Sequence, residues 1–561
     1  GGGSWSLDLS AARGVRCGPA EPSRYVFPWE CHCPAMEKLR PLRPADVITS
    51  RETERGLELE FGADGARFRV TLEIEAGAPE LVFALTPVNA GAADLVAAEL
   101  PGPITPAGGK PAVVLAGAMD QGRLYTGKPG NLGFEGAERP EEMIFPESRM
   151  RWRWWGVLGE SAGCCAIIED NADAELAVRR AGPGNITGSV RWLPAMGLLT
   201  YERRVRYCFE AAATPTSLTK RFRRWAKDSG LFKTLLEKAE GRPRLKGMIG
   251  ATGVFAGYQA SDLDYEGTCR RLREMGHERL YLFPIYHVRN PFEPQGDDAR
   301  IGPREQLDLR ERIPQLRELG ALVGTWCYLE GVDVAHRPDM ERIAQLNADG
   351  SRPLNWRRNE WLWYQACRRR LLATLRDHRD ELEKFDAVHF DTTASNALME
   401  CYDPHHPHDR RGDRALRIEE FDYAASLGLL VASEGCKDWA VPHLDVASNK
   451  RPAVWGEDAP YWSVPLQQLA FHDAIISTWW EIDGYDCPEF HGGRVAEQAL
   501  TDTLYGDPPL IFPVGGQKTG GSGTGLGITY FEHTLDNPLC REAAGRAVEV
   551  ARLHGRVGTE E

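Results

Sequence analysis

From about residue 245 onward, short apolar runs alternate with amphipathic stretches, and this alternation constrains the fold more than any other feature of the chain. The strand candidates are Leu245–Ala251, Arg279–Ile285, Ala321–Tyr328, Ala387–Asp391, Leu429–Ser433, Leu444–Ala447, Ala474–Thr478 and Pro509–Phe512. Helical periodicity fills the intervals at Tyr265–Met275, Leu307–Leu319, Glu360–Leu382, Ile418–Leu427 and Val495–Tyr505. Eight such strands with intervening helices predict a (β/α)8 TIM-like barrel. A doubly wound open sheet would gather its polar groups at one switch point, whereas here acids and aromatics follow several strands.

The first part of the chain reads differently. Leu57–Phe61, Phe68–Ile74, Leu81–Leu85, Cys164–Glu169 and Tyr201–Phe209 are short β-type runs separated by turn residues. They predict an antiparallel β-sandwich over residues 1–212. A helical linker follows over 213–244, and the (β/α)8 barrel over 245–561. The expected fold is thus multidomain, α/β and β. In Arg151–Trp152–Arg153–Trp154–Trp155, strand alternation sends Trp152 and Trp154 to one face and Trp155 to the other, as core or domain interface.

Two of the barrel runs end in a carboxylate: Val388–His389–Phe390–Asp391 and Leu430–Val431–Ala432–Ser433–Glu434. Barrels of this kind present their reactive groups at the C-terminal ends of strands. The 43 residues from Asp391 to Glu434 suffice for one strand-to-strand crossover. Paired carboxylates on neighbouring strand ends suit glycoside hydrolysis, with one acid as nucleophile and the other as proton donor. Asp391, with its low reference pKa, is the candidate nucleophile, and Glu434, beside an apolar strand end, the candidate acid/base.

Candidate substrate contacts lie at the other strand ends. They are Tyr286 and His287, Trp326 and Tyr328, His443 and Asp445, and Trp479, Trp480 and Asp483. Aromatic rings stack on sugar faces and acids hold hydroxyls. Asp445 or Asp483 would replace Glu434 if the strand order differed. The loop after Asp391 adds Tyr402, Asp403, His405, His406 and Arg410, with Asp413 and Arg414 as braces. Its histidines also permit a metal-dependent hydrolase, although no separate ligand motif accompanies them, so neither metal nor cofactor is assigned.

The formal charge of −14 disfavours wholesale binding to nucleic acid or an anionic membrane, and no apolar stretch is long enough for a membrane span. The expected partner is a carbohydrate or glycoconjugate. Thirteen cysteines without paired metal-like spacing suit free thiols in a reducing compartment, hence a cytoplasmic expectation. Secretion stays open, because a removed signal peptide would leave no trace.

Phe390–Asp391–Thr392, the loop from Glu400–Cys401–Tyr402 through His406–Pro407 to Arg410, and Ser433–Glu434–Gly435 resemble bacterial glycoside-hydrolase-like proteins distantly similar to the endo-alpha-N-acetylgalactosaminidase family. The likeness runs loosely over residues 245–530, and the preceding β-rich part resembles that group's amino-terminal domain. It implies a retaining enzyme acting on an α-linked O-glycoside, with the nucleophile role on Asp391 and the acid/base role on Glu434. This chain is shorter than the large multidomain members, so the sugar and the endo or exo mode stay open. A non-catalytic carbohydrate-binding barrel is the alternative of a different class.

Overall fold

The computed structural model describes residues 5–7, 14–17, 43–63, 66–89, 95–106, 110–117, 122–126, 142–145, 147, 150–180, 185–255, 265–283, 287–288, 303–327, 330–333, 342–358, 361–449, 461–479, 495–511 and 538–560. In the first part of the chain, two antiparallel sheets share one hydrophobic core. The larger has ten strands, among them Ala66–Ile74, Glu80–Pro87, Trp154–Leu158, Ala162–Ile168 and Arg203–Ala211. The smaller has five, including Ala174–Arg180 and Ile186–Trp192. Alternation explains the contact between them. Trp155 and Val157 from one sheet meet Leu176, Val190 and Trp192 from the other, in the interior that two facing pleated surfaces enclose. Gly188 is required there, because a Cβ on it would lie 2.8 Å from the Trp155 ring.

The same alternation turns Trp152 and Trp154 the opposite way. They stack on Phe222 at 6.3 and 5.6 Å between ring centroids, with Phe471 edge-on to Trp152 at 5.2 Å. Phe222 belongs to the helix Pro215–Asp228, started by a capping box in which Thr214 and Ser217 satisfy each other's backbone N–H groups. The segment expected as a linker is therefore a buried wedge, with Leu218, Phe222 and Ala226 in the shared core. The two parts also exchange chain: Tyr461–Ser463, from within the expected barrel region, pairs with Arg123–Tyr125 at the edge of the ten-stranded sheet.

Eight parallel strands follow in sequence order: β1 (Thr252–Phe255), β2 (Leu280–Phe283), β3 (Ala321–Cys327), β4 (Ala387–Phe390), β5 (Leu430–Glu434), β6 (Val446–Asn449), β7 (Ile476–Trp479) and β8 (Leu510–Ile511). Each pairs with its sequence neighbour from β1 to β7, and β8 pairs with β1. The result is a barrel-like parallel sheet, and among the described residues no pairing joins β7 to β8. Inward and outward residues separate cleanly. Val388, Phe390 and Val431 face the surrounding helices, while Ala387, Leu430, Ala432, Val446 and Ile476 form an inner cluster with Tyr281.

Three expectations are corrected here. Leu245–Ala251 is not the first strand. Pro243–Met248 is a short helix with proline in its first turn, and Leu245, Met248 and Ala251 plug the N-terminal end of the barrel against the inner cluster. Gly250, at φ +80°, reverses the chain into β1 where a side chain would strike Gly555. Glu360–Leu382 is not one helix. Trp361–Gln365 is the middle strand of a three-stranded antiparallel sheet, and the helices Arg368–Asp377 and Arg379–Leu382 come after it. The aromatic run Trp361–Leu362–Trp363–Tyr364 prefers a pleated surface, and this overrides the apparent helical period. Finally, β6 starts at Val446, two residues later than expected, which decides where Asp445 lies.

Candidate active site

In β4 and β5 the register pairs Phe390 with Ser433, so the next residue on each strand, Asp391 and Glu434, stands at one level. Both continue the inward-facing series, Ala387–His389–Asp391 and Leu430–Ala432–Glu434, and both reach the C-terminal end of the sheet. Neighbouring strands lie about 4.8 Å apart, so two such side chains must meet unless something separates them. They do meet. The two carboxyls interact at close range, and their proximity disfavours ionising both at once. Glu434 is buried and Asp391 half-buried.

Burial, then the Glu434 charge and a hydrogen bond with Glu434, then Glu330, push the Asp391 carboxyl well above the usual range, while a hydrogen bond from the Trp326 indole favours its ionised form. The pair titrates as a unit. Trp326 is the inward residue near the end of β3 and leans on His389 at 5.2 Å between rings. Burial holds His389 neutral, its pKa pushed down to about 3.

The turn that carries Asp391 is fastened from all sides. The Asp391 N–H donates to Cys327 O at 3.0 Å, extending the ladder by one residue. Thr392 follows at φ +53°, a left-handed conformation that strains a β-branched residue by about 1–3 kcal/mol and that surrounding bonds must hold in place. Ser433 Oγ donates to Phe390 O at 2.7 Å and accepts from Ala394 N at 3.1 Å, tying this turn to β5. Arg417 donates to the carbonyls of Thr393, Asn396 and Ala397. After Glu434 the chain turns at Gly435, φ +67°, where a Cβ would sit 2.7 Å from that of Ser395. The two turns touch at that point.

The antiparallel part of the molecule braces both turns. Arg153 grips Asp438 through Nε at 2.9 Å and Nη2 at 3.2 Å. Lys437 is buried, donating to Glu147 at 2.6 Å and to Asn396 O at 3.0 Å, and Glu147 also accepts from Leu398 N.

The other sequence candidates divide. Trp326 lies beside the carboxyl pair. Tyr402 is half-buried and donates to Glu400 at 3.2 Å; burial and Glu400 push its pKa up. Asp403 accepts from His405 N at 2.9 Å, capping its own loop. His405 is exposed, His406 contacts Cys401 Sγ at 3.3 Å, and His408 turns to His406 O and toward Asp413. The His406 and His408 rings thus turn to different partners, and no metal-holding group of three or more His, Cys, Asp or Glu occurs among the described residues.

Arg410 is committed to Asp173 at 2.7 Å, Pro194 O and Glu400, so it joins the two parts of the chain instead of facing a substrate. His443 and Asp445 are corrected outright, because both precede β6 and lie at the N-terminal end of the barrel. Asp445 is fully buried in a two-pronged pair with Arg242, at 2.6 and 2.9 Å, and accepts from Val431 N; His443 pairs with Asp422 at 2.7 Å. Asp445 cannot replace Glu434. Of the rest, His287 and Trp479 are described through their backbones only, pairing with Trp326 and Asn449. Tyr286, Tyr328, Trp480 and Asp483 lie outside the described residues.

Sequence reasoning missed Glu330, which follows β3. Its carboxylate is fully buried and accepts from Arg368, Thr393 and Asn396. It was findable as a further acid just past a strand end.

A scan against protein-family models finds no match, and no curated protein matches the sequence. Solved structures do match. The alpha-N-acetylgalactosaminidase NagBb from Bifidobacterium bifidum, in its Gal-NHAc-DNJ complex, superposes with a TM-score of 0.74 at 23% identity, covering 99% of this chain and 92% of that one. Its GalNAc complex gives 0.72 at 22%, covering 93% and 87%. A GH36 alpha-galactosidase, AgaA from Geobacillus stearothermophilus, gives 0.51 at 11%, covering 99% and 76%. At these identities the likeness establishes a shared fold.

Proposed function

We propose that this chain is a retaining glycoside hydrolase of α-linked O-glycosides, built on a closed (β/α)8 barrel that follows a β-sandwich. Asp391 acts as nucleophile and Glu434 as acid/base. The observation that carries the reading is the juxtaposition of two inward-facing carboxyls at the C-terminal mouth of adjacent strands. The first step needs one carboxylate to attack the anomeric carbon and one acid to protonate the departing oxygen, and two carboxyls this close resist ionising together. Strand spacing favours the retaining geometry, since a retaining pair works at roughly 5–5.5 Å and an inverting pair must open to about 6.5–9.5 Å to admit water. Entry of a sugar ring parts the two groups and leaves the proton on Glu434. Asp391 then forms the glycosyl ester, and Glu434, now ionised, activates the water that releases it.

NagBb is named as an alpha-N-acetylgalactosaminidase, and AgaA as an alpha-galactosidase. We therefore take α-N-acetylgalactosaminides and α-galactosides as the first substrate classes. The test is turnover of p-nitrophenyl derivatives of both, with the anomer of the first-formed sugar read by proton NMR. An α-anomer is expected. E434Q should lose about 10²–10⁴-fold, the usual worth of a general acid/base, and D391N should abolish turnover. A β-anomer would sink the retaining assignment, and saturable sugar binding without turnover would favour the binding-protein reading.

A further inference from the structure

We propose that Glu330 is a positioning residue for this reaction: its buried carboxylate, held by Arg368, clamps the turn that presents Asp391 and lays a fixed negative charge beside it. The inference rests on the glycosidase reading. The clamp is explicit. Thr393 Oγ1 lies 3.2 Å from both Glu330 Oε1 and Asp391 O, and Asn396 Nδ2 donates to Glu330 Oε2 at 2.8 Å. Arg417 and Lys437 hold the carbonyls of the same turn, so Glu330 supplies the acceptors for its side chains while the cations supply donors for its backbone. A left-handed Thr392 needs such over-determination to persist.

The surroundings explain why a carboxylate stands there. Arg368, from the helix Arg368–Asp377, pairs with Glu330, with Glu420 at 3.3 Å and, more loosely, with Asp413 at 3.7 Å. From the helix Arg410–Ser426, Arg417 pairs with Asp413 at 2.8 Å, and His408 approaches Asp413 at 3.8 Å. Two guanidinium groups thus serve three buried carboxyls, and the surplus falls on Glu420, whose pKa burial pushes up to about 7. Neutralising Glu330 would release Arg368 to Glu420, which then ionises. The cluster keeps its charge balance, but the negative charge moves from the Asp391 side to the helix side. E330Q is therefore expected to fold.

The experiment is the pH profile of kcat/KM on a p-nitrophenyl α-glycoside for wild type, E330Q, E420Q and T393V. Removing a like charge beside Asp391 makes its ionisation easier, so the acid limb of E330Q should move down by roughly 0.5–1 pH unit. E420Q should leave that limb in place. T393V keeps the charge and loses the clamp, so it should lower kcat by about 10-fold with the limb unmoved. A structural role alone would lower the melting temperature without shifting the profile. If E330Q does not fold, E330D carries the test: it keeps the Arg368 pair, withdraws the charge by one methylene and should give a smaller downward shift. An acid limb unmoved in a folded variant overturns the proposal. Wild type inert on every glycoside would refute the glycosidase reading instead. Glu330 is then still judged by NMR titration of isotope-labelled aspartate carboxyls, in which Asp391 must titrate lower in E330Q than in wild type.

Discussion

The contact between the two site turns makes G435A a sharp test of the geometry. Gly435 sits at φ +67°, and an alanine there has its Cβ 2.7 Å from Ser395 Cβ. Carbon atoms pack at about 3.5–4.0 Å, so one turn must retreat by roughly 1 Å. The left-handed conformation costs alanine about 1–2 kcal/mol, partly offset by about 0.4–1 kcal/mol from a stiffer unfolded chain. Overpacking adds about 1–3 kcal/mol, for a total of about 1–4.5 kcal/mol. G77A separates the two contributions, because Gly77 has φ +78° and nothing within 4 Å of its ideal Cβ, leaving the conformational cost alone. Thermal unfolding should therefore rank wild type above G77A and G77A above G435A. Only G435A should lose turnover, by about 100-fold, because Glu434 is displaced against Asp391. S395G removes the opposing Cβ, so the double variant G435A/S395G should recover about 1–2 kcal/mol relative to additivity. Equal melting of G435A and G77A with full turnover, or strict additivity with S395G, would refute the argument that these turns set the carboxyl spacing.

Two further outcomes are expected. D445N breaks the buried Arg242 pair at the N-terminal end of the barrel, which should destabilise the protein by about 3–5 kcal/mol while the folded fraction keeps the wild-type pH profile; a shifted profile would bring Asp445 back toward the site. The second concerns acid. His277 is held neutral by burial with a pKa of about 4, and His389 and His554 likewise at about 3. Above the unfolded value near 6.5 neither state is charged; as pH falls below it, the unfolded chain takes protons that the folded one refuses. Each histidine should then subtract about 1.4 kcal/mol per pH unit down to its folded pKa. Melting temperature should drop between pH 6.5 and 5, and H277Q should show a shallower drop; an equally steep one would show that other groups govern acid unfolding.

What the sequence determined by itself was local. An apolar run ending in an acid is written in consecutive residues, so Asp391 and Glu434 were legible as strand-end groups, as was the opposite facing of Trp154 and Trp155 in one strand. The alternation of strands and helices also carried, because each element buries its own stripe. The tertiary structure decided what depends on where a strand begins and on what meets it across the fold. Asp445 and Glu434 both flank apolar runs, but one precedes its strand and the other ends it. Asp445 comes just before β6 begins at Val446, so it lies at the floor of the barrel and not at its mouth. The aromatic run at Trp361 became a strand because neighbouring strands were available to pair with it. Glu330 and Arg368 are 38 residues apart, and Glu330 and Asn396 are 66. Their clamp on the Asp391 turn exists only once the crossover from β3 to β4 has brought those ends together, and no local pattern encodes that proximity.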